Sequence, residues 1–330
     1  MKILVTGAAG FIGAAVSRYL AERGDDVVGI DNINDYYDVN LKYGRLSQLE
    51  SAEFPGSFRF IKMGVEERDS CADLFAHEKF DRVVHLAAQA GVRYSLEAPH
   101  SYTRTNVEGH LCLLELARHL PGLTHMVYAS SSSVYGGNHH LPFSEADRVD
   151  TPLSLYAATK RAGELMAHTY AHLYRLPLTG LRFFTVYGPW GRPDMSAWLF
   201  TDAILTGRPI RVFNQGRMQR DFTYIDDIVS GVIAALDLPP PDGAGEGGVP
   251  HRVFNLGNNA PVALEDFIRT IERACGREAV KVLEPMQPGD VQATYAEIGP
   301  ARQLLGFEPR TPISEGIPRF VEWFRAYHGN

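Results

Sequence analysis

Residues 2–13 read KILVTGAAGFIG, and this stretch decides the fold. The apolar run at 3–5 predicts a buried strand, and residues 11–23 carry apolar side chains at helical spacing. Between them, Gly7, Gly10 and Gly13 have GxxGxxG spacing. Glycines in such a turn let the backbone approach a pyrophosphate, whose charge the N-terminus of the next helix stabilises. The stretch therefore predicts a dinucleotide site at the edge of a parallel sheet.

An acidic residue ends the next predicted strand. Residues 26–30 are apolar enough for a strand, and Asp31 follows, 18 residues after Gly13. A carboxylate there accepts hydrogen bonds from the ribose hydroxyls of NAD and repels the additional phosphate of NADP. Asn32 rather than arginine comes next. The pattern therefore favours NAD as the cofactor.

Strands and helices alternate through the first half of the chain. Further strands are predicted at 58–62, 82–86, 125–129 and 178–183, and the longest helices at 99–119 and 154–174. This alternation predicts an α/β fold with a doubly wound parallel sheet. After residue 185 proline and glycine become frequent, which predicts a smaller C-terminal α/β lobe. We expect residues 1–185 to bind the cofactor and residues 186–330 the substrate, with interleaved lobes and a flexible surface loop at 238–250.

Composition excludes several classes of function. The formal net charge of −7 gives no support for a nucleic-acid partner, although a local basic pocket is compatible with it. No run approaches the ~20 apolar residues that span a bilayer, so we expect no membrane partner and, by default, a cytoplasmic location. Cys71, Cys112 and Cys275 match no zinc or redox spacing and are expected to be reduced. His139 and His140 indicate a polar loop, so no metal is expected.

A second motif comes from Tyr156 and Lys160, which share one helix face at i and i+4. A neighbouring ammonium lowers the pKa of a tyrosine, ordinarily about 10, and makes it a better base. Ser131 lies 25 residues earlier, at the predicted carboxyl end of a strand, where its hydroxyl can reach the same substrate oxygen. A surface pair and an ordinary serine-rich loop are the competing interpretations. After the strand at 82–86, small residues indicate either room for a flat ligand or tight packing.

Taken together, the glycine turn, Asp31, the SSSSVYG segment at 130–136 and the YxxxK motif resemble the extended short-chain dehydrogenase/reductase family of nucleotide-sugar enzymes. The resemblance spans essentially the whole chain and implies a Rossmann-type sheet with bound NAD. Segments 181–193, 220–227 and 287–291 resemble the UDP-glucuronate 4-epimerases of that family. This implies interconversion of UDP-glucuronate and UDP-galacturonate by transient oxidation at carbon 4.

The resemblance also implies residue roles. Tyr156 is expected to be the acid/base, Lys160 its electrostatic partner and Ser131 the group that holds the reacting hydroxyl. The residues expected to line NAD are Gly7, Gly10, Phe11, Ile12, Gly13, Asp31, Asn32, Val65, Leu86, Ala87, Ala88, Ala90, Asn106, Tyr156 and Lys160. Those expected to face the UDP-sugar are Ser131, Ser132, Ser133, Tyr156, Thr185, Arg192, Val212, Phe213, Arg220 and Asp290. Gly64 stands where relatives commonly have an aspartate near the adenine, so backbone groups are expected there instead.

Two features, the serine pair at 132–133 and Arg192, help to choose among relatives. Dehydrating relatives carry an Asp-Glu pair at Ser132 and Ser133, and decarboxylating relatives commonly a glutamate at Ser133. Hydroxyls here suit oxidation, rotation and re-reduction. Arg192 can grip a sugar carboxylate through two parallel hydrogen bonds, although a surface charge or a phosphate contact would also explain it.

Other functions stay open beside the 4-epimerase. They are a UDP-glucose 4-epimerase, a UDP-glucuronate decarboxylase and a non-catalytic NAD or nucleotide-sugar sensor. The resemblance also implies a homodimer through the helices at 99–119 and 154–174. Its apolar contacts are expected from Leu111, Leu114, Leu165, Met166 and Leu173.

Overall fold

A seven-stranded parallel sheet forms the centre of the computed structural model, which describes residues 1–287 and 291–329. In spatial order its strands are β3 (Ser57–Lys62), β2 (Asp26–Asp31), β1 (Lys2–Thr6), β4 (Arg82–His85), β5 (His125–Ser131), β6 (Leu178–Phe183) and β10 (His251–Leu256). The strand order reverses between β1 and β4. The chain therefore leaves these two strands in opposite directions and opens a crevice at their carboxyl ends.

Helices cover both faces of the sheet. They are α1 (Phe11–Arg23), α2 (Val39–Glu50), α3 (Arg68–Glu78), α4 (Tyr94–Glu97), α5 (Pro99–Tyr102), α6 (His110–Arg118), α7 (Leu155–Tyr174), α8 (Ser196–Thr206), α9 (Ile225–Asp237), α10 (Leu264–Cys275), α11 (Gly299–Leu305) and α12 (Ile313–His328). A π-helical stretch, Thr103–Gly109, joins α5 to α6, so the predicted helix at 99–119 is one nearly continuous element. The α/β, doubly wound fold predicted from the sequence is confirmed.

The alternation of side chains along β1 explains the two layers. Ile3 and Val5 join the apolar cluster beneath α1 and α9, whereas Leu4 joins the cluster beneath α3, α6 and α7. All three side chains are fully buried. A strand covered on both faces needs apolar residues at successive positions, which is why its sequence reads as a continuous run.

Later segments form the smaller lobe but also return to the main sheet. The strands β7 (Thr185–Tyr187), β9 (Gln219–Tyr224) and β11 (Pro261–Ala263) form one small sheet, and β8 (Ile210–Val212) pairs with β12 (Lys281–Leu283). In contrast, α9 packs against α1 and β5, and β10 pairs with β6. Residues beyond 186 thus contribute to both parts of the molecule, and the functional division at residue 185 stays a prediction. Residues 238–250 connect α9 to β10 with a single short 3₁₀ turn, Glu246–Gly248.

The leucines expected at a dimer contact differ in their exposure. Leu114 is fully buried inside the subunit, where α6 turns it toward the sheet, so among the leucines named for the dimer it is one that the internal core uses. Leu165 and Leu173, on the outer face of α7, are 53% and 60% exposed. The three cysteines are free and buried, as expected. Within the described ranges, every helix is too short or too polar to cross a membrane.

Candidate active site

A cavity of about 1010 Å³ opens at the carboxyl edge of the main sheet and extends to the smaller lobe. Most of the site residues predicted from the sequence line it: Gly7, Gly10, Phe11, Ile12, Gly13, Asp31, Asn32, Val65, Leu86, Ala87, Ala88, Ala90, Ser131, Ser132, Ser133, Tyr156, Lys160, Thr185, Arg192, Phe213 and Arg220. They come from strand ends and loops far apart in the chain. The fold therefore brings the glycine turn, the YxxxK motif and the smaller lobe to one crevice.

Two of the predicted residues that the structure describes, Asn106 and Val212, lie away from this lining. Asn106 is buried behind it, where its amide nitrogen donates to the Gln89 carbonyl at 3.1 Å and to the Thr159 hydroxyl at 3.0 Å. It thus supports the loop after β4 from behind. Val212 is 1% exposed and belongs to the apolar core. Asp290 lies outside the described residues.

The glycine turn has no room for side chains. Gly7 has a φ of +73°, and a Cβ there would lie 2.8 Å from the Ala87 nitrogen. A Cβ on Gly13 would lie 1.9 Å from the Gly7 carbonyl oxygen. Bare backbone at the N-terminus of α1 therefore faces the cavity, and such a turn fits the pyrophosphate of a dinucleotide.

Asp31 lies beside this turn and lines the cavity. Its Oδ2 accepts a hydrogen bond from the Ala9 amide at 3.3 Å, and Oδ1 accepts one from the Ile33 amide at 2.8 Å. These bonds fix the carboxylate at the end of β2. Each oxygen retains a second lone pair, which suits the ribose hydroxyls of NAD.

Tyr156, Ser131 and Lys160 are assembled by β5 and α7. The Ser154 hydroxyl caps α7 by accepting from the Ala157 amide at 3.1 Å, and the helix then carries Tyr156 and Lys160 on the face toward β5. Lys160 Nζ donates to the Ala129 carbonyl at 3.0 Å. Ser131 is the last residue of β5, and its hydroxyl hydrogen-bonds Tyr156.

The environment of Tyr156 differs from the one expected from sequence. Burial raises the pKa of the phenol above its ordinary value, whereas the hydrogen bond with Ser131 and the positive charge of Arg192 lower it. Lys160, which was expected to lower this pKa, instead donates to the Ala129 carbonyl. Burial lowers the pKa of the Lys160 ammonium to about 8, so Lys160 is itself poised near neutral pH.

Arg192 faces the same cavity and already holds a carboxylate. Its Nε donates to Asp194 Oδ1 at 3.0 Å and its Nη2 to Asp194 Oδ2 at 2.5 Å. The Tyr36 hydroxyl donates to Asp194 Oδ2 at 3.0 Å. Burial alone would lower the pKa of Arg192, but Asp194 raises it well above the ordinary value. The pair therefore stays charged, and the Nη1 side of the guanidinium is not engaged by Asp194.

Cationic and aromatic side chains line the end of the cavity in the smaller lobe. Phe213 lies between two guanidinium groups, Arg93 at 4.8 Å and Arg211 at 5.1 Å from the ring centre. Arg208 and Arg220 line the same end. The protein therefore has a local basic pocket despite its negative net charge, and this pocket suits a diphosphate.

Sequence reasoning missed Tyr36 and Asp194. Asp194 follows Arg192 by two residues in GRPD, a spacing that could have indicated the ion pair. Tyr36 carried no comparable signal, because its contact with Asp194 joins residues 158 positions apart. The predicted roles of the lining residues stay predictions.

Comparisons with known proteins agree with this geometry. Residues 3–257 match the model of the NAD dependent epimerase/dehydratase family. UDP-glucuronate 4-epimerase 4 of Arabidopsis thaliana is 49% identical, with 99% of this chain and 76% of the relative covered. A probable UDP-glucuronate 4-epimerase of Rhizobium meliloti (strain 1021) is 47% identical, with coverages of 98% and 97%. The UDP-glucuronic acid 4-epimerase of Bacillus cereus, solved with UDP-glucuronic acid and NAD, superposes with a TM-score of 0.90 at 34% identity, covering 99% of this chain and 100% of that one.

Proposed function

Because the chain belongs to the NAD dependent epimerase/dehydratase family, we propose that it is a UDP-glucuronate 4-epimerase that interconverts UDP-glucuronate and UDP-galacturonate. One observation carries the proposal: Ser131, Tyr156 and Lys160 share a single cavity with Arg192. The first three residues suit proton transfer at a sugar hydroxyl, and the guanidinium suits a carboxylate on the same sugar.

The glycine turn and Asp31 would hold NAD at the N-terminus of α1. When bound there, NAD supplies a reversible hydride acceptor for carbon 4 of the sugar. A side chain at Gly7 would collide with Ala87, so bare backbone borders the cavity here, next to Leu86, Ala87 and Ala88. Asp31 selects NAD over NADP by charge repulsion.

Tyr156 moves the proton. As a phenolate it accepts the proton of the 4-hydroxyl, and it returns that proton when the sugar is reduced again on its opposite face. Ser131 donates to the reacting oxygen and holds it next to the phenol. The Ser131 hydroxyl and the Arg192 charge lower the pKa of Tyr156 and so favour the phenolate, whereas Lys160 is anchored on the Ala129 carbonyl one helical turn away.

The cationic end of the cavity would hold the UDP while the 4-keto sugar turns. Arg220 and Thr185 line this end together with Phe213, and the Arg93 and Arg211 guanidinium groups over that ring supply positive charge for the diphosphate. An anchored diphosphate restricts the sugar to rotation about its link to UDP. Both faces of carbon 4 can then be presented to the same catalytic residues.

Arg192 would serve the sugar carboxylate. After oxidation at carbon 4 the sugar is a β-keto acid, which loses carbon dioxide when the breaking bond lies along the carbonyl π system. A guanidinium held by Asp194 can keep the carboxylate out of that alignment through its other nitrogen. Hydroxyls at Ser132 and Ser133, which also line the cavity, add hydrogen bonds without supplying another acid.

One observation favours a second candidate, a UDP-glucose 4-epimerase. Arg192 is already paired with the carboxylate of Asp194, so its charge is balanced without a carboxylate on the substrate.

The test is incubation of the purified protein with UDP-glucuronate or UDP-glucose, followed by chromatography. We expect UDP-galacturonate from the first and little product from the second.

Three results would refute the proposal. Turnover of UDP-glucose alone would establish the second candidate, and a UDP-pentose with carbon dioxide would establish a decarboxylase. No product in either case, with NAD added, would favour a non-catalytic sensor.

Tyr156→Phe should abolish most turnover, by roughly 100-fold or more, without loss of substrate binding. Tyr174→Phe, on the same helix but outside the cavity, is the matched control.

We also propose a homodimer and a cytoplasmic location. Leu165 and Leu173 leave an apolar strip exposed on α7, and Tyr174 continues it at the end of the helix. Pairing α6 and α7 with those of a second copy would cover the strip. Three free thiols suit a reducing compartment such as the cytoplasm.

A further inference from the structure

Arg45, on α2, is a buried cation whose hydrogen bonds all go to neutral groups. Its side chain is among the largest fully buried ones, and the residue is 2% exposed. Nε and Nη2 both donate to the Trp190 carbonyl, at 3.1 and 2.6 Å, and Nη2 also donates to the Gly191 carbonyl at 3.3 Å. Nη1 donates to the Ala9 carbonyl at 3.0 Å and to the Tyr37 hydroxyl at 2.7 Å. Five bonds match the five N–H groups of a guanidinium.

Such an arrangement is costly to maintain. Burial lowers the pKa of Arg45, because the charged form loses its water. A well-packed apolar side chain usually fills a buried position at least as favourably as a charge does. Packing alone therefore does not account for an arginine here, and the explanation lies in what its five bonds join.

On one side Arg45 holds a strained turn. Trp190 has a φ of +64°, a conformation that bulky residues rarely adopt. Its indole is fixed between α2 and α12: a Cβ on Gly44 would lie 2.9 Å from the ring, and Trp323 packs on it with ring centres 5.2 Å apart. The bidentate contact of Arg45 with the Trp190 carbonyl stabilises this turn. Arg192 follows two residues later.

On its other side Arg45 holds the glycine turn. The Ala9 carbonyl accepts from Arg45, and the Ala9 amide donates to Asp31. The backbone of Ala9 is thus tied to the end of β2 through its amide and to α2 through its carbonyl. Tyr37, the fourth partner, belongs to the same segment as Tyr36, which contacts Asp194.

We propose that Arg45 is a positioning residue that ties the 190–191 turn to the glycine turn and so sets where the Arg192 guanidinium stands relative to the sugar. The inference rests on the proposed role of Arg192 at the sugar carboxylate. Asp194 and Tyr36 orient the side chain of Arg192, whereas Arg45 fixes the backbone that carries it. Lysine is a poor replacement for Arg45, because one ammonium has three N–H groups for the five bonds that the guanidinium makes.

The test compares the affinities of the holoenzyme for UDP-glucuronate, UDP-glucose and UDP by calorimetry. In Arg45→Met we expect the preference for UDP-glucuronate over UDP-glucose to fall by roughly tenfold or more, since small misplacements of a binding group are costly. Affinity for UDP should be unchanged, and Arg45→Lys should behave like Arg45→Met. The Lys variant keeps the charge and serves if the Met variant does not fold.

A double variant separates positioning from general damage. In an Arg192→Ala background, Arg45→Met should have no further effect on the preference, because the group that it positions is gone. Leu49→Ala, which removes a buried side chain from the same helix, should lower stability without changing the preference. Equal weakening of all three ligands, loss of NAD alone, or additive effects in the double variant would overturn the proposal. If the wild-type protein does not prefer UDP-glucuronate over UDP-glucose, or if Arg192→Ala leaves that preference unchanged, Arg192 does not bind the sugar carboxylate. The proposed function of Arg192 would then fail, rather than the positioning role of Arg45.

Discussion

The guanidinium of Arg182 holds the two oxygens of the Glu164 carboxylate, from Nε at 2.8 Å and from Nη2 at 2.9 Å. Both side chains are almost completely buried. Glu164 lies one helical turn after Lys160 on α7, and its Oε1 also accepts from the Ser130 hydroxyl at 2.6 Å. The pair therefore fixes the helix that carries Tyr156 against the strand that ends at Ser131.

Breaking this pair should damage both stability and catalysis. In Glu164→Gln the Arg182 charge stays buried without its counter-ion, and we expect a loss of about 3–5 kcal/mol in the free energy of unfolding. We expect kcat to fall roughly tenfold, because Tyr156 and Ser131 lose their common support. Arg161→Gln is the control: Arg161 contacts the same carboxylate at 3.1 Å but is 27% exposed, so its loss should cost under about 1 kcal/mol. Urea unfolding and steady-state kinetics measure both effects, and equal losses in the two variants would contradict this account.

The pH dependence of turnover should move in opposite directions in two neighbouring variants. Tyr156 must lose its proton to act as a base, so kcat should rise with pH through the pKa of Tyr156. Arg192 lowers that pKa and Asp194 raises it. Arg192→Ala should therefore shift the rising limb to higher pH and Asp194→Asn should shift it to lower pH. Arg18→Gln, on the outer face of α1, is the control and should leave the rising limb where it is in the wild type. If the limb moves in the same direction in the Arg192 and Asp194 variants, Tyr156 is not the titrating group.

Cofactor retention should depend on Asp31. In Asp31→Ala the carboxylate that suits the ribose hydroxyls is gone, and the Ala9 and Ile33 amides lose their acceptor. Charged hydrogen bonds contribute about 1.5–3 kcal/mol, so NAD affinity should fall by roughly 10- to 100-fold. Discrimination against NADP should fall as well. Titration of the apoprotein with both cofactors checks this, with Asp26→Asn at the exposed start of the same strand as the control; a decrease in NAD affinity alone would contradict the repulsion argument.

Much of the fold could be predicted because its signals are local. Strands buried on both faces need continuous apolar runs, and the run at 178–183 matched β6 residue for residue. The membership of β10 in the sheet could not be predicted in this way. Its partner β6 lies about seventy residues earlier, and no local pattern specifies a pairing over that separation.

The candidate site, like the fold, was predictable where its sequence signals are local and not where they join distant residues. Glycine spacing and the Tyr156–Lys160 spacing are local, and the structure brings these residues to one cavity. Arg45 gave no signal, because a lone arginine in an amphipathic helix ordinarily faces water. Its bonds to residues 145 positions away exist only once α2 packs beneath the loop after β7. Asn106 is the opposite case: the sequence indicated a residue that lines the cofactor, but its buried amide bonds to the loop backbone rather than facing the cavity.

The proposed dimer should depend on the outer face of α7. Leu165→Glu together with Leu173→Glu places two charges in the apolar strip, and burying them would cost far more than the contact contributes. We expect monomers in sedimentation velocity at micromolar concentration. Leu304→Glu, a comparably exposed leucine on α11, should leave the assembly unchanged. An unaltered dimer in the double variant would show that another surface pairs.

Acid should destabilise the protein through a buried histidine at the start of β5. His125 is fully buried, its Nδ1 and Nε2 lie 2.9 Å from the Leu236 carbonyl and the Thr179 hydroxyl, and burial lowers its pKa to about 4. Between that value and the ordinary pKa of 6.5 the unfolded chain binds a proton that the folded protein does not. Stability contributed by neutral His125 is therefore fully present above pH 6.5 and is lost as the pH falls toward 4. At about 1.4 kcal/mol for each pH unit between these two pKa values, the loss of stability is at most about 3.5 kcal/mol.

Replacing His125 with glutamine tests this origin of the acid sensitivity. His125→Gln keeps polar atoms for Leu236 or Thr179 but cannot titrate, so the free energy of unfolding should depend less steeply on pH between 6.5 and 4 than in the wild type. Packing is altered as well, and the variant should be less stable at pH 7; the slope, not the absolute value, is the informative quantity. His139→Gln, in an exposed loop, should keep the wild-type slope. Urea unfolding at half-unit pH intervals gives these slopes, and an unchanged slope in His125→Gln would assign the acid sensitivity to other buried groups.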